Sequence, residues 1–472
     1  MKTPRILLAA GASGSGKTLI TCGLLQALVN RGIKTASFKC GPDYIDPMFH
    51  SRVIGTKSRN LDTFFTEPDI TRYLLQKNAS DCEIAVMEGV MGYYDGVAGT
   101  TTRASAYDLA MVTETPVVLI VNSRGMSVSL AAYIKGFLEY KEKSGIRGVI
   151  FNQMSPMLYP RMKELVESQL GISVFGYVPK VEDCVIESRH LGLVLPDEIP
   201  ELKGRLTKLA DVLEKTLDID GILKLAKSAP EILPDRSLSE INSDFGFRLP
   251  EQVKIAVASD ESFCFFYEDN FRLLREMGAE LIPFSPMRDK KLPEDTDGIL
   301  LYGGYPELNG ELLEINSSMR QSVREKITEG LPCLAECGGF MYLHEQMEDM
   351  NGSVHEMAGV IKGRAFRTPK LSRFGYVTLT QQKEVLGNSC LGNIPAHEFH
   401  YFDSENCGED FLAQKPESRR TWKCIHGTDS VMAGFPHLYY YGCPAVPKAF
   451  LMKCLSYKKQ RCSREHQEER QH

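Results

Sequence analysis

Short apolar runs recur between Arg5 and Val178 and alternate with segments whose apolar residues follow helical spacing. The runs are continuous rather than alternating with polar residues, which is typical of parallel strands buried on both faces. Strands that alternate with helices predict an α/β domain, in which helices cover both sides of a parallel sheet. The predicted strands are Arg5–Ala10, Thr35–Phe38, Ile84–Met87, Pro116–Val121, Gly148–Asn152 and Val174–Val178, and predicted helices follow the first strand and cover Ser129–Tyr140.

The pattern weakens after a predicted helix over Leu202–Leu217 and begins again beyond residue 250. The intervening segment, 228–250, is rich in Ser, Pro and Asp, which is typical of a linker. We therefore predict two α/β domains, 1–227 and 251–450, joined by this linker. Residues 451–472 are mostly charged, and we expect them to form a disordered tail. The strands predicted in the second domain are Val253–Ala258, Glu280–Phe284, Asp297–Tyr302 and Cys333–Ala335, with helices over Tyr267–Met277 and Ser317–Thr328.

Composition narrows the class of protein. The 472 residues include 25% charged and 43% hydrophobic ones, and the net charge of −6 argues against nucleic acid as the main partner. No apolar run is long enough to cross a membrane, and the first strand leaves no room for a signal peptide, so we expect a cytoplasmic protein. The 13 scattered cysteines indicate free thiols in a reducing compartment. The oligomeric state stays open, with a homodimer as one option.

The segment Gly11–Thr18, GASGSGKT, fits the pattern G-x-x-x-x-G-K-[ST] and lies between the first predicted strand and helix. In this context backbone N–H groups cradle phosphate oxygens, and the helix N-terminus adds a partial positive charge. We expect Lys17 to reach the terminal phosphates and the Thr18 hydroxyl to hold Mg²⁺. The sequence therefore predicts a site for a nucleoside triphosphate, with contacts from Gly11, Ser13, Gly14, Ser15, Gly16, Lys17 and Thr18.

Carboxylates follow two neighbouring predicted strands. Asp43 and Asp46 lie in the loop Lys39–Pro47 after the second strand, and Glu88 follows the third. Ligands of α/β sheets bind beyond the carboxyl ends of strands, so we expect these side chains beside the nucleotide. Glu88 is the candidate metal ligand, and Asp43 or Asp46 is a second candidate, directly or through water. Lys39 is a candidate for holding a phosphate or an anionic substrate.

Three further places carry candidate chemistry. Asp95 lies in the glycine-rich loop after the third strand and is a candidate for orienting the acceptor or the transferred phosphoryl group. Arg189 and His190 stand together near a glycine. This basic pair is equally consistent with the binding of an acidic substrate and with a solvated surface. Asn152 and Pro179 follow strand ends and are candidate contacts for the adenine base.

The second domain contains a cysteine in a distinctive position. Cys337 precedes Gly338 at a strand-to-helix turn, which exposes the sulfur at a helix N-terminus and favours the thiolate. The amide of Gly338 and a second amide from Gly303–Gly304 are candidate oxyanion-hole donors. Spacing does not select the base, because the partners of a nucleophile meet in space rather than in sequence. The downstream histidines are His355, His397, His400, His426 and His437.

The two centres fit one reaction scheme. A cysteine nucleophile can release ammonia from glutamine through a thioester. ATP can convert a carboxylate into an acyl phosphate, which ammonia then attacks. A chain with both centres is therefore a candidate for a glutamine- and ATP-dependent amidating enzyme.

Longer motifs closely resemble the cobyrinate a,c-diamide synthase family, over nearly the whole chain to about Phe450. These motifs are GASGSGKT at 11–18, FKCGPDYIDP at 38–47, EGVMGYYDG at 88–96, RHLGL at 189–193, GGYPE at 303–307 and AECGG at 335–339. The resemblance implies a dethiobiotin-synthetase-like P-loop domain followed by a class I glutaminase-like, flavodoxin-like α/β domain. It implies amidation of the a and c carboxylates of cobyrinate with glutamine, ATP and Mg²⁺, through phosphorylated intermediates.

The resemblance also implies roles for individual residues. Cys337 would be the nucleophile and His437 its base. Thr18, Asp43 and Glu88 would be metal ligands. The phosphoryl-transfer and substrate site would contain Lys39, Asp43, Tyr44, Asp46, Asp95, Arg189 and His190.

The resemblance leaves alternatives open. Close relatives amidate metal-free hydrogenobyrinate or a nickel sirohydrochlorin, and the residues do not select the central metal. Cobyric acid synthase is less similar because it lacks the GPDYIDP segment. A non-catalytic P-loop switch with a disused glutaminase domain would be free to lose Cys337 or a glycine of Gly303–Gly304, and this chain keeps all three. Tyr439 stands where ordinary class I glutaminases carry a glutamate, so the group that orients His437 is not identified.

Overall fold

The computed structural model describes residues 3–181, 188–189, 192–193, 199, 201–232, 236 and 238–469. The chain divides into two compact units, Met1–Ser237 and Leu238–His472. The division falls inside the segment 228–250 that we interpreted as a linker, and part of that segment is a helix, α9, at Leu238–Phe245. Across the described part of the chain, none of the helices combines the length and the apolar character needed to cross a bilayer.

The first unit contains a parallel sheet with the strand order β3-β2-β4-β1-β5-β6-β7. This arrangement confirms the predicted α/β class and the parallel P-loop domain. Its strands are β1 Arg5–Ala10, β2 Thr35–Cys40, β3 Lys57–Leu61, β4 Ile84–Glu88, β5 Val117–Asn122, β6 Ile146–Asn152 and β7 Ser173–Val178, and a separate pair is β8 Ser188–Arg189 and β9 Gly192–Leu193. Its helices are α1 Lys17–Asn30, α2 Ile45–Met48, α3 Pro68–Ala79, α4 Ala106–Val112, α5 Ser129–Glu139, α6 Tyr159–Leu170, α7 Leu202–Thr216 and α8 Ile219–Ser228.

Strand order explains why the candidate residues meet. Strand β4 lies between β1 and β2, and all residues of these three strands are buried. Glu88 is in register with Leu8 on β1 and with Lys39 on β2. Because the strands are parallel, the loops after β1, β2 and β4 leave the sheet at the same edge.

The second unit is built on a sheet with the order β11-β10-β12-β13-β23-β22, parallel except for its last pair. Two further sheets, β15-β14-β16-β19 and β21-β20-β17-β18-β24, contain mainly antiparallel pairs. The strands are β10 Val253–Ala258, β11 Ala279–Phe284, β12 Gly298–Leu301, β13 Cys333–Glu336, β14 His344–Glu348, β15 Val354–Glu356, β16 Ile361–Arg367, β17 Arg373–Gln381, β18 Asn393–His400, β19 Phe402–Ser404, β20 Phe411–Gln414, β21 Thr421–Cys424, β22 His426–Gly427, β23 Val431–Gly434 and β24 His437–Leu438. The helices after α9 are α10 Glu268–Glu276, α11 Gly310–Ile315, α12 Ser317–Thr328, α13 Gly338–Tyr342 and α14 Ala445–Glu469.

The prediction of a disordered tail is wrong for the described part of residues 451–472, because helix α14 continues to Glu469. Apolar side chains at helical spacing, including Leu451 and Leu455, bury one face of this helix. Further along, Arg461 pairs with Asp297 at 3.0 Å. Because the segment is highly charged, its sequence pattern did not indicate this helix, which packs on its own unit.

Candidate active sites

The P-loop connects β1 to α1, which begins at Lys17. Gly14 and Gly16 have φ values of 75° and 89°, in the left-handed region that favours glycine. A Cβ at Gly16 would lie 2.3 Å from Nδ2 of Asn152. That amide donates to the Ser15 carbonyl oxygen at 2.9 Å. Asn152, which we considered for the adenine base, therefore holds the P-loop backbone in this structure.

The Lys17 side chain spans the mouth of the loop. Its Nζ donates to the carbonyl oxygens of Ala12 at 3.1 Å and Met91 at 2.6 Å. Burial and repulsion from Lys39 lower the pKa of Lys17 to about 8. The ammonium thus bridges the P-loop and the loop after β4, in a position to meet phosphate oxygens.

Beside the P-loop, five polar side chains form a largely buried cluster, namely Thr18, Lys39, Asp46, His50 and Glu88. The Thr18 hydroxyl donates to Glu88 Oε1 at 2.6 Å and lies 3.3 Å from Asp46 Oδ2. Lys39 Nζ donates to Glu88 Oε1 at 2.7 Å and also pairs with Asp46. His50 Nε2 lies 3.3 Å from Glu88 Oε2. The cluster joins predicted residues to one that the sequence analysis missed, His50.

Charge pairing dominates the cluster. Burial alone would lower the pKa of Lys39, but attraction to Asp46 and Glu88 raises it well above its ordinary value. Burial alone would raise the pKa of Glu88, but Lys39 and His50 lower it below its ordinary value. Both side chains are therefore charged in the neutral pH range.

The other predicted residues of this unit lie around the cluster. Asp43 Oδ1 accepts from the backbone N–H groups of Ile45 and Asp46 at 2.9 and 3.1 Å, so this carboxylate holds the first turn of α2, with Tyr44 at the turn itself. Asp95 is exposed and accepts from the Gly92 N–H at 2.9 Å. Arg189 is in strand β8, and its side chain lies outside the described residues, as does all of His190.

The cluster provides oxygen ligands suited to Mg²⁺. Thr18, Asp46 and Glu88 direct three oxygens toward one another, and Mg²⁺ prefers oxygen ligands and keeps several waters or phosphate oxygens. Over the described ranges there is no cluster of three or more His, Cys, Asp or Glu side chains suited to a metal. Two carboxylates and a hydroxyl therefore fit a cation that shares its remaining positions with a nucleotide.

In the second unit, Cys337 lies at the turn between β13 and α13. Its backbone has φ 48° and ψ −106°, a strained conformation of the kind that clusters at functional sites. The Cys337 N–H donates to the Gly434 carbonyl oxygen at 2.8 Å, which ties the turn to β23. This geometry has the form of a nucleophile elbow.

The structure brings His437 to Cys337. The two side chains are hydrogen-bonded, and both are buried. Burial alone would lower the pKa of His437, but Cys337 and Glu336 raise it to about 10. His437 Nδ1 lies 3.4 Å from Glu336 Oε2. The sequence did not identify Glu336, because the acid was expected two residues after the histidine and Glu336 instead precedes the cysteine.

The remaining candidate histidines lie elsewhere. His397 is opposite His437 across the β18–β24 pair, and burial lowers its pKa well below the ordinary value. Burial also lowers the pKa of His400, to about 3. His355 and His426 lie on β15 and β22. Of the five histidines, His437 is the one hydrogen-bonded to the cysteine.

The glycines that we expected at the oxyanion hole lie beside the nucleophile. A Cβ on Gly338 would be 3.2 Å from the Gly304 backbone nitrogen, so the two backbones adjoin. The Gly303 carbonyl oxygen accepts from the N–H groups of Cys264 and Phe265 at 3.0 and 2.9 Å, which fixes this loop. Two amides on a rigid frame next to the thiol suit a developing oxyanion.

Gly303→Ala should lower glutamine hydrolysis by roughly 100-fold, because the new Cβ would lie 2.6 Å from His437 Cε1 and would displace the imidazole. Steady-state kinetics of glutamate release check this expectation. Gly204→Ala is the control, because a Cβ there meets nothing within 4 Å. Equal rates of glutamine hydrolysis in both variants would contradict the assignment of His437 as the base.

Comparisons with known proteins cover both units. A family model described as a CobQ/CobB/MinD/ParA nucleotide binding domain matches residues 6–193. A second, described as a CobB/CobQ-like glutamine amidotransferase domain, matches residues 254–440. The first unit is thus a nucleotide-binding domain, and the second is an amidotransferase domain.

Curated relatives match over nearly the whole chain. Cobyrinate a,c-diamide synthase of Caldanaerobacter subterraneus subsp. tengcongensis is 37% identical over 463 residues, which is 96% of this chain and 99% of that protein. The enzyme of the same name from Priestia megaterium is 37% identical and covers 98% of this chain and 99% of its own length. The one from Thermoplasma volcanium is 36% identical, again over 98% and 99%.

Proposed function

The chain belongs to the cobyrinate a,c-diamide synthase family, and on this premise we propose that it amidates the a and c carboxylates of cobyrinate with ATP and glutamine. The observation that carries the proposal is the presence of two complete centres in one chain. The Thr18–Glu88–Lys39 cluster supports phosphoryl transfer, and the Cys337–His437 pair supports release of ammonia.

In the first unit, the P-loop amides and Lys17 bind the phosphates of ATP. Mg²⁺, held by Thr18 and Glu88 with Asp46 nearby, would neutralise charge on the phosphates during transfer. Lys39 lies at this cluster and is suited to hold the transferred phosphoryl group or the substrate carboxylate. The carboxylate oxygen attacks the terminal phosphorus, ADP leaves, and an acyl phosphate results.

In the second unit, His437 takes the proton of Cys337, and the thiolate attacks the amide carbonyl of glutamine. The amides of Gly338 and Gly304 suit the negative charge that develops on oxygen. The imidazolium gives its proton to the leaving ammonia, and water hydrolyses the thioester to glutamate. Ammonia then attacks the acyl phosphate and expels phosphate, which forms the amide.

The experiment that tests the substrate is mass spectrometry of tetrapyrrole acids after incubation with the protein, glutamine and MgATP. Cobyrinate, hydrogenobyrinate and nickel sirohydrochlorin acid are offered separately and in competition. Conversion of cobyrinate to a diamide with the highest kcat/KM supports the proposal. Preference for one of the other acids would keep the chemistry and replace the substrate, and failure on all three with glutamine unhydrolysed would contradict the proposal.

Nucleotide binding should depend on pH through Lys17. Its pKa of about 8 means that the ammonium is present below pH 8 and is lost above it, so affinity for MgATP should fall by up to about tenfold per pH unit above that value. Isothermal titration in two buffers of different ionisation enthalpy should then detect proton uptake. Lys17→Arg keeps the charge and should remove the dependence. Constant wild-type affinity to pH 9.5 would contradict this assignment.

We also propose that the protein acts in the cytoplasm on small molecules, without nucleic acid. The net charge of −6 supports the absence of a nucleic-acid partner, and the cysteines of the described residues, all free thiols, suit a reducing compartment. A homodimer remains a proposal that light scattering would test.

A further inference from the structure

Class I glutaminases hold the catalytic histidine with an acid two residues after it, and this chain has Tyr439 there. The Tyr439 hydroxyl donates to Asp269 Oδ2 at 2.9 Å, and the tyrosine is buried in that contact. The Tyr439 hydroxyl is therefore a hydrogen-bond donor to helix α10. His437 nevertheless needs a partner that fixes its ring if it is to exchange protons with Cys337.

We propose that Glu336, the residue immediately before the nucleophile, is the positioning residue that holds and charges the His437 imidazole. The inference rests on the proposed glutaminase function. In this arrangement the acid of the catalytic group lies on β13, directly before the cysteine, and not after the histidine. Glu336 does not touch glutamine and acts only through His437.

The strand geometry allows this arrangement. Glu336 ends β13 and is in register with Gly434 on β23. The chain from Gly434 needs only three residues to reach His437, so the imidazole arrives beside the end of β13. The turn at Cys337, with φ 48°, then lets two consecutive side chains reach the same ring. An extended backbone would send them to opposite faces of the sheet.

Distances place the two partners at different edges of the ring. Oε2 of Glu336 lies 3.4 Å from Nδ1 of His437. A Cβ on Gly303 would lie 3.4 Å from both His437 Nε2 and Cys337 Cβ, so the Nε2 edge faces the nucleophile. With Nδ1 facing the carboxylate, Nε2 is left to exchange a proton with sulfur.

Burial makes a purely structural role for Glu336 costly. The side chains of Glu336 and His437 are 7% and 3% exposed. Glu336 Oε1 is buried, and within the described residues it has no hydrogen-bond partner. The Leu438 backbone N–H bonds to the carboxylate, and the surrounding wall is apolar, with Leu334, Ile425 and Met432. A buried carboxylate with an unsatisfied oxygen destabilises a fold unless a nearby positive charge compensates for it, and the His437 imidazolium supplies that charge.

Other titratable groups near the imidazole lie on β18. They are His397, opposite His437 in the strand pair, and Glu398 and His400, which interact with it more weakly. Burial keeps His397 and His400 neutral, as their lowered pKa values indicate. Glu336 is thus the carboxylate in ion-pair distance of His437 among the described residues.

The test compares Glu336→Gln with Tyr439→Phe in the full chain, using glutamine hydrolysis and ammonia-dependent amidation as separate readouts. Glu336→Gln should lower kcat for hydrolysis by about 100-fold with little change in KM, because the variant still binds glutamine but does not stabilise the imidazolium. The basic limb of its kcat/KM profile should move to lower pH, because His437 loses a neighbouring negative charge. Tyr439→Phe should keep the wild-type kcat and pH profile.

Two further results make the outcome decisive. Glu336→Asp, which keeps the charge on a shorter side chain, should recover part of kcat and restore the wild-type pH limb, even if Glu336→Gln folds poorly. Ammonia-dependent amidation should be unchanged in all variants. A wild-type pH limb in folded Glu336→Gln, or an effect as large in Tyr439→Phe, would overturn the inference. Loss of amidation by the wild type itself would instead refute the proposed function and leave the glutaminase readout intact.

Discussion

Cys337→Ala is expected to lower glutamine-dependent amidation by at least about 10⁴-fold and to leave amidation with added ammonia close to the wild-type rate. The Cys337 sulfur is the atom that forms the thioester, and no other group at the turn can replace it. The phosphoryl-transfer cluster lies on different elements of the chain and keeps all of its residues. The measurement is the rate of amide formation with glutamine and, separately, with saturating ammonium at mildly basic pH.

Cys333→Ala provides the matched control. Cys333 is on the same strand, β13, and is fully buried, so its replacement also removes one buried sulfur. Both activities should persist in this variant, apart from a modest loss of stability. Persistence of glutamine-dependent activity in Cys337→Ala would refute the assignment of the nucleophile.

Glu88→Gln is expected to lower amidation about 100-fold or more with either nitrogen source, while glutamine hydrolysis survives. The carboxylate accepts from Thr18 and Lys39 through one oxygen and faces His50 through the other. An amide would lose one of the two negative charges that pair with Lys39 and would be a poorer ligand for Mg²⁺. The measurement is the amidation rate as a function of Mg²⁺ concentration, and the variant should require more of the ion.

Stability must be separated from catalysis for this variant, because breaking a buried ion pair costs about 3–5 kcal/mol. Lys39 keeps its pair with Asp46 in Glu88→Gln, so the thermal unfolding of the variant is measured beside its activity to show that the loss of amidation is not a loss of folding. Asp81→Asn is the surface control, since Asp81 precedes the same strand and pairs with Lys57 at 3.0 Å in an exposed contact. Wild-type amidation and Mg²⁺ dependence in Glu88→Gln would remove Glu88 from the phosphoryl-transfer site.

Much of the fold follows from the apolar pattern. The predicted bounds Val253–Ala258 and Ser317–Thr328 agree with β10 and α12, and the predicted strand at Arg5–Ala10 agrees with β1. These segments are buried on both faces or have a helical apolar stripe, so each local pattern has a single interpretation. The P-loop and the cysteine turn were predictable for a similar reason, because each needs glycine at fixed positions.

The antiparallel strands between α13 and α14 were not predicted. Strand β17, Arg373–Gln381, buries only Val377 and Leu379 fully and mixes polar with apolar residues elsewhere. Strands such as β19 and β22 are only two or three residues long. Patterns this short carry little information about period, and their pairing depends on contacts distant in sequence.

The site shows the same limit. Spacing predicted Cys337 and the carboxylates of the P-loop unit, since strand ends carry ligands in this class. It did not predict Glu336 or His50, because their partners come from distant strands: Glu336 contacts a histidine on β24, and His50 contacts the end of β4. A carboxylate placed directly before a nucleophilic cysteine, in a strand that is otherwise apolar, was the available signal for Glu336.

The most direct test of the account follows labelled nitrogen from glutamine to the tetrapyrrole. The protein is incubated with cobyrinate, MgATP and glutamine labelled with ¹⁵N in the side-chain amide, without added ammonium, and amides in the product are counted by mass spectrometry together with ADP. We predict a diamide in which both new amides carry the label, with one ADP formed per amide. A product without label, or glutamate formed without amide, would contradict the claim that this chain couples its two centres.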